Sequence, residues 1–300
     1  MKVFTEVRAI REHIQAERFA AAGKGQNLKV GLVPTMGYLH DGHASLLRKA
    51  RQTSDLVVLS IFVNPIQFGP NEDYDRYPRD AEKDLALAER EGVDVVFMPS
   101  AQEMYPEPIR TKIKVEELTE RLCGASRPGH FDGVTTVVGK LFHIVQPDQA
   151  FFGQKDAQQV AVIKQMVKDL NFGIDIIPCP IVREADGLAL SSRNVYLTPE
   201  QRKAALVLSK SLHFVEEKAK SVGGVIVGDI RYDLIDTISN EPLAEIEYVE
   251  ITKFPDLIAL EDPDRLDSVG SDVLIALAVK FGSTRLIDNV ILEKKVLTSC

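Results

Sequence analysis

The chain is predicted to be an α/β protein, a Rossmann-like doubly wound parallel sheet followed by a smaller α+β domain. Short apolar runs rich in β-branched residues alternate with helix-forming segments at Lys29–Val33, Asp55–Val63, Val93–Pro99, Gln149–Phe152 and Ile174–Val182, the pattern of βαβ units. The first run passes through a glycine-containing turn, Pro34 to His43, into a helical segment; such turns lie at the carboxyl edge of an open sheet, where ligands bind. After about Val182 the order changes to helices followed by adjacent strand-like runs, which indicates an α+β domain. Right-handed crossovers limit the first part to a few doubly wound topologies.

Thr5 is expected to cap a helix over Glu6 to Ala22 that ends at Gly23-Lys24-Gly25. Lys29–Val33 is a buried parallel strand, and a helix follows from His43 to Arg51. Asp55–Val63 is the second strand, and it runs into Asn64-Pro65-Ile66-Gln67-Phe68-Gly69-Pro70, a loop expected at the same sheet edge. Asn71 to Asp80 is polar, Ala81 to Glu91 is helical and stopped by Gly92, and Val93–Pro99 is the third strand. Periodicity is poor from Tyr105 to Gly133, and Ser126 to Gly133 reads as a mobile functional loop. Thr135 to Ile144 is helical, and Gln149–Phe152 is a short strand leading into Gly153-Gln154-Lys155-Asp156. Val160, Ile163, Val167 and Leu170 stripe another helix. Pro178 and Pro180 put the following strand at a sheet edge or a strand end. Thr198-Pro199 then opens a long helix to about Val222, closed by Gly223-Gly224. A helix from Asp229 to Ser239 and strands over Ile246–Thr252, Val273–Val279 and Thr284–Ile291 complete the chain.

With 300 residues, 45% apolar and 27% charged, the chain has the composition of a soluble globular protein with ample core. Its net charge of −8 supplies no general electrostatic footprint for nucleic acid or an anionic membrane, so neither is expected as a partner. Cys123, Cys179 and Cys300 are odd in number and far apart, which points to a reducing compartment rather than a disulfide framework or a zinc site. The charged stretch Met1–Arg8 precedes no apolar signal region, and no later run reaches ~18 apolar residues. A cytoplasmic location is expected.

Three patches carry charge that apolar packing does not explain. His40 and His43 flank Gly42, beside helix N–H groups that attract phosphate, and suit charge developing on an α-phosphate and its pyrophosphate leaving group. Lys155 supplies a cation for phosphate oxygens, and Asp156 a carboxylate for ribose hydroxyls or phosphate-bound magnesium. Ser191 and Ser192 offer hydroxyls and backbone N–H groups, and Arg193 offers a bidentate phosphate fork. Each patch alone is as readily an ordinary surface turn; together they describe a triphosphate cradle. The chain has neither a Gly-x-x-x-x-Gly-Lys-[Ser/Thr] segment nor a Gly-x-Gly-x-x-Gly after a strand, which disfavours a P-loop kinase and a dinucleotide dehydrogenase.

His40-Asp41-Gly42-His43 resembles the HxGH motif of the nucleotidylyl-transferase superfamily, and Leu190-Ser191-Ser192-Arg193 resembles the counterpart of its KMSKS loop. Pro34-Thr35-Met36-Gly37, Phe62-Val63-Asn64-Pro65-Ile66-Gln67-Phe68, Tyr77-Pro78-Arg79, Arg127-Pro128-Gly129-His130-Phe131-Asp132-Gly133-Val134, Phe152-Gly153-Gln154-Lys155-Asp156 and Leu190-Ser191-Ser192-Arg193-Asn194 follow one another as in the pantothenate synthetases. The likeness runs from about Val3 to the Thr284–Asn289 segment. It implies an AMP-forming ligase that joins pantoate to β-alanine through pantoyl adenylate, with ATP as substrate, magnesium, and a homodimer.

The same resemblance implies that Met36, Gly37, Tyr38, Leu39, His40, Asp41, Gly42, His43, Gly153, Gln154, Lys155, Asp156, Val182, Leu190, Ser191, Ser192 and Arg193 line the ATP site. His43, His40 and Lys155 would be catalytic, with His43 the family's assigned proton donor, and Asp156 would contact magnesium through ATP. Gln67 and Gln159 would hold pantoate, with Asn64 supporting that pocket. Residues 1–182 would form the ATP- and pantoate-binding domain and 183–300 a small domain closing over ATP. Gln154 stands where many members have Glu, and Glu293–Cys300 lies beyond the matched region. Competing readings are an adenylyltransferase that keeps AMP in its product, and a non-catalytic nucleotide- or RNA-binding relative, against which the net acidity argues.

Overall fold

The computed structural model describes residues 1–70, 72–221 and 224–297. Expectations placed on Asn71, on the helix end at Val222 and Gly223, and on Cys300 lie outside these residues. The chain divides into two compact units. The first comprises Met1–Glu116, Arg127–Gln154 and Val162–Pro180, and the second Glu117–Ser126, Lys155–Ala161 and Ile181–Cys300.

In chain order the elements are β1 (Lys2–Phe4), α1 (Val7–Ala22), β2 (Val30–Thr35), α2 (Asp41–Thr53), β3 (Leu56–Ile61), α3 (Ala81–Arg90), β4 (Val95–Phe97) and α4 (Ala101–Met104). Next come α5 (Leu122–Ser126), α6 (His130–Val145), β5 (Gln149–Gly153), α7 (Ala157–Asp169) and β6 (Asp175–Cys179). The last are α8 (Pro199–Ala204), α9 (Leu206–Ser221), α10 (Val227–Ser239), β7 (Ala244–Phe254), β8 (Asp272–Phe281), β9 (Thr284–Leu292) and α11 (Lys294–Leu297).

The first unit is built on a six-stranded sheet in the order β1-β4-β3-β2-β5-β6, with every neighbouring pair parallel. Its central strands are buried on both faces, as continuous apolar runs require. Val33, Val57, Leu59 and Phe151 pack there with Leu47 and Ala50 of α2, each large side chain contributing about 1.5–3 kcal/mol. Strand order reverses between β2 and β5, which makes the loops after these two strands the expected binding edge. β6 lies at one edge of the sheet, as its prolines predicted, and β1, which has no sequence signal of its own, forms the other.

Several local expectations are corrected. α1 begins at Val7 without a side-chain cap from Thr5; the Val7 N–H donates instead to Glu103 Oε1 at 2.8 Å. α2 starts at Asp41, with His40 rather than His43 at its boundary. The segment expected as a loop over Ser126 to Gly133 is a turn only at Arg127–Gly129, where Gly129 takes the left-handed φ of 80°, because α6 already starts at His130. The long helix after Thr198 is divided at Ala205 into α8 and α9.

The second unit holds an antiparallel three-stranded sheet, β7-β8-β9. Successive β8 side chains leave opposite faces. Val273, Ile275, Leu277 and Val279 pack with Leu208 and Leu212 of α9 and Ile230 and Leu234 of α10. Leu274 and Ala276 pack instead with Leu122, Ala157, Ala161 and Leu257. The two short segments taken from earlier in the chain therefore cover the second face of this sheet.

Candidate active site

The turn after β2 is shaped by a buried carboxylate. Asp84 of α3 accepts the Tyr38 N–H at 2.8 Å and the Leu39 N–H at 2.6 Å. Burial pushes its carboxyl up, against the pull of these two backbone donors. Gly37 sits at φ 82°, and a Cβ there would lie 2.9 Å from Asp84 Oδ2, so only glycine brings the backbone this close to the carboxylate.

His40 and His43 then form a reciprocal cap on α2. The Gly42 N–H donates to His40 Nδ1 at 3.1 Å, and the His40 N–H donates to His43 Nδ1 at 3.3 Å. A ring nitrogen that accepts an N–H carries no proton, so these bonds assign both rings as neutral imidazoles with hydrogen on Nε2. Their centroids are 4.1 Å apart. The result is two adjacent imidazole N–H donors at a helix N-terminus, where the backbone dipole already favours an anion.

Beyond β3 the chain makes a short 3₁₀ turn, Pro65–Gln67. Asn64 is 1% exposed, and both ends of its amide are bonded. It donates to Gln67 Oε1 at 3.0 Å and to Gly133 O at 3.2 Å, and it accepts from Tyr105 Oη at 2.8 Å. Burial pushes the Tyr105 hydroxyl well up, so it remains a donor. Gln67 Nε2 meets Met36 Sδ at 3.1 Å, a weak acceptor. Met36, Asn64 and Gln67, named from the sequence, are thus in one bonded group. Tyr105 was missed, because 41 residues separate it from Asn64.

Also absent from the sequence reading is the chain of contacts that holds this turn. His130 Nδ1 lies 2.8 Å from the Gln67 carbonyl, and Arg127 Nη1 lies 3.0 Å from His130 Nε2. The carbonyl can only accept and the guanidinium can only donate, so these two bonds assign His130 as neutral with hydrogen on Nδ1. Arg127 in turn forks onto Glu72. Burial pushes the Glu72 carboxyl up, but the hydrogen bonds and charge of Arg127 outweigh it and leave the carboxyl below its ordinary range.

Gly153 ends β5, the strand beside β2, and Gln154 opens the turn that follows. The remaining named residues belong to the second unit. Lys155 is half-buried and Asp156 exposed at the end of a 3₁₀ turn. Gln159 is half-exposed, whereas its neighbour Gln158 is buried and donates to the Leu118 and Arg121 carbonyls, a structural use. The Leu190 N–H donates to Val182 O at 3.0 Å across a narrow hairpin in which Arg183 pairs with Ala189. Ser191 Oγ accepts the Arg193 N–H at 3.2 Å, and Ser192 is buried. Among the described residues there is no group of three or more His, Cys, Asp and Glu side chains suited to a metal ion, and no helix is long and apolar enough to cross a membrane.

At the switch point of this parallel sheet, paired imidazole N–H groups stand at a helix N-terminus, an arrangement suited to an anion such as a phosphate. A family model described as pantoate-beta-alanine ligase matches residues 2–291. The chain is 62% identical to the pantothenate synthetase of Acetivibrio thermocellus over 264 residues, 88% of this chain and 92% of that one. It is 55% identical to that of Moorella thermoacetica over 293 residues, 98% and 99% of the two chains. The crystal structure of pantothenate synthetase from Thermus thermophilus superposes with a TM-score of 0.86 at 44% identity, covering 97% of this chain and 99% of that chain. Pantoate-beta-alanine ligase from Francisella tularensis, complexed with beta-gamma ATP and beta-alanine, superposes with a TM-score of 0.75 at 35% identity over 98% of each chain. The chain belongs to the pantoate-beta-alanine ligase family.

Proposed function

We propose that this chain joins pantoate to β-alanine in two steps. The pantoate carboxylate attacks the α-phosphate of ATP, releasing pyrophosphate and leaving pantoyl adenylate. The β-alanine amine then displaces AMP to give pantothenate. The observation that carries this reading is the pair of capped histidines, whose neutral Nε2–H groups suit charge building on the α-phosphate and the departing pyrophosphate. A carboxylate is a poor nucleophile towards an anionic phosphate, so positioning and charge neutralisation supply most of the acceleration.

In this reading His43 donates to the reacting phosphate, with His40 and Lys155 on the neighbouring oxygens. Met36 to His43, Gly153, Gln154, Lys155, Asp156, Val182 and Leu190 to Arg193 contact ATP. Gln67 and Gln159 hold pantoate. Gln67 suits this role because its amide N–H rests against the Met36 sulfur, a partner that a pantoate oxygen readily replaces. Asn64 keeps the amide turned in that sense. A neutral amide orients pantoate without adding negative charge.

Magnesium fits as an ion that arrives with the triphosphate, because Asp156 is a single exposed carboxylate and phosphate oxygens and water supply the other ligands. When bound it neutralises phosphate charge. The enzyme is further proposed to act in the cytoplasm as a homodimer.

The test is to incubate the protein with ATP, magnesium, pantoate and β-alanine and identify the products. Pantothenate and free AMP are expected, and ATP–pyrophosphate exchange should require pantoate but not β-alanine. AMP retained in the product would indicate an adenylyltransferase, and exchange driven by β-alanine alone would reject the order of steps.

A further inference from the structure

Asp288 and Asn289 are adjacent on β9, and they are 2% and 4% exposed. Neighbouring side chains on a strand leave opposite faces of the sheet. Their register agrees: Asp288 pairs with Leu277, whose side chain packs on the helix-covered face, and Asn289 pairs with Ala276, whose side chain packs against Ala157. Burying two polar groups side by side costs stability unless both are bonded, and apolar residues would fill the space at lower cost. The Asp288 carboxylate and the Asn289 amide nitrogen are bonded, each to a different loop.

Asn289 Nδ2 donates to the Lys155 carbonyl at 2.9 Å. On the other face, Asp288 accepts from Arg183 through a fork, Nη1 to Oδ2 at 2.6 Å and Nη2 to Oδ1 at 3.0 Å. Arg183 Nη1 also donates to the Gly187 carbonyl at 3.2 Å, tying the stem of the Val182–Leu190 hairpin to its tip. Asp288 Oδ1 accepts the Asn289 N–H at 2.8 Å, so the two side chains share one rigid piece of backbone.

We propose that Asp288 and Asn289 are positioning residues of the ligase, holding from one strand the backbone of Lys155 and the hairpin that leads to Leu190–Arg193. The inference rests on the proposed assignment of those loops to ATP and goes beyond it by naming what sets their geometry. The bond from Asn289 fixes the Lys155–Asp156 peptide plane, and with it the piece of backbone from which the lysine side chain departs. A shift of about 1 Å in such a group is enough to cost ~10²-fold in rate.

The experiment is a double-mutant cycle on the full-length enzyme, read by pantoate-dependent ATP–pyrophosphate exchange, with the thermal midpoint recorded for each variant. Asn289→Ala is expected to lower the exchange rate by about 10- to 100-fold, the scale for losing a supporting partner, with little change in the KM for pantoate. Asn289→Leu, which refills the volume without the donor, should show the same loss while keeping the fold. In a Lys155→Ala background the Asn289→Ala loss should fall to less than about twofold, because a residue acting through Lys155 has nothing left to act on. Loss from Asn289→Ala that is undiminished in that background would overturn the proposal, as would near-parental exchange in both Asn289 variants when Lys155→Ala is impaired. Near-parental exchange in Lys155→Ala would instead reject the assignment of that lysine to ATP. The same cycle between Asp288→Asn and Arg193→Ala tests the other face, where fully multiplicative losses would remove Asp288 from this role.

Discussion

His43 closes the cap on α2 through Nδ1, and on the proposed function its Nε2–H faces the phosphates. These functions can be separated. His43→Ala is expected to lower turnover by about 10²–10³, the usual scale for one lost transition-state donor. It should also cost about 0.5–2 kcal/mol of stability, because a cap contact goes with it. His43→Gln restores an acceptor at the third helical position, so the thermal midpoint should recover while turnover does not. Full activity in His43→Gln would show that the ring contributes only the cap. Gln67 poses a simpler question. Gln67→Ala strips Asn64 of a partner at 3.0 Å and, on the proposed assignment, leaves a pantoate oxygen without a donor, at a cost of about 1–3 kcal/mol. Calorimetry should show weaker pantoate binding with ATP binding unchanged; equal loss of both would mean that Gln67 organises the turn as a whole.

At the scale of elements, α6 is the support on which the turn after β3 rests. A Cβ on Gly133 would lie 2.5 Å from Gln67 Cα and from Ile66 O, both backbone atoms that cannot swing aside. Gly133→Ala should therefore lower stability by about 1–3 kcal/mol and weaken pantoate more than ATP, measured by denaturation and calorimetry. The start of the same helix adds a pH signature. Arg127 holds the Glu72 carboxyl below its ordinary range despite burial. A carboxylate lowered in the folded state contributes stability above its unfolded pKa and loses it as pH falls through the folded value. The stability difference between the parent and Arg127→Met should thus be largest near neutrality and shrink in acid; a pH-independent difference would mean that packing, not charge, joins the two residues. The sequence showed the central strands because unbroken apolar runs have few other uses, and it showed the histidine turn because strand, glycine and helix are contiguous. It could not show β1, a three-residue strand whose signal is its pairing with β4. The cap of α1 by Glu103 and the fork from Arg127 to Glu72 span 96 and 55 residues, so no local pattern encodes them. His40 as a cap was hidden for another reason: imidazole is outside the usual set of capping side chains.

At the scale of the molecule, the second unit is not a simple C-terminal appendage, because it takes in Glu117–Ser126 and Lys155–Ala161 from the earlier part of the chain. These segments bring Leu122, Ala157 and Ala161 onto the face of the β-sheet that carries Leu274 and Ala276. They also bring Cys123, whose Sγ lies 3.3 Å from Tyr248 Oη and accepts from both terminal nitrogens of Arg285. A fragment of residues 183–300, cut where composition changes in the sequence, would leave that face open. Refilling it with water forfeits the burial of at least one leucine, about 1.5–3 kcal/mol, and removes the Cys123 sulfur from Tyr248 and Arg285. The fragment is therefore expected to bind a hydrophobic dye and to exchange the amide hydrogens of β8 faster than the full chain does. The half of the sheet covered by α9 and α10 keeps its core in either case, so the fragment should retain helix by circular dichroism while losing protection in β8. Equal β8 protection in fragment and full chain would show that the two borrowed segments add nothing to the stability of this unit.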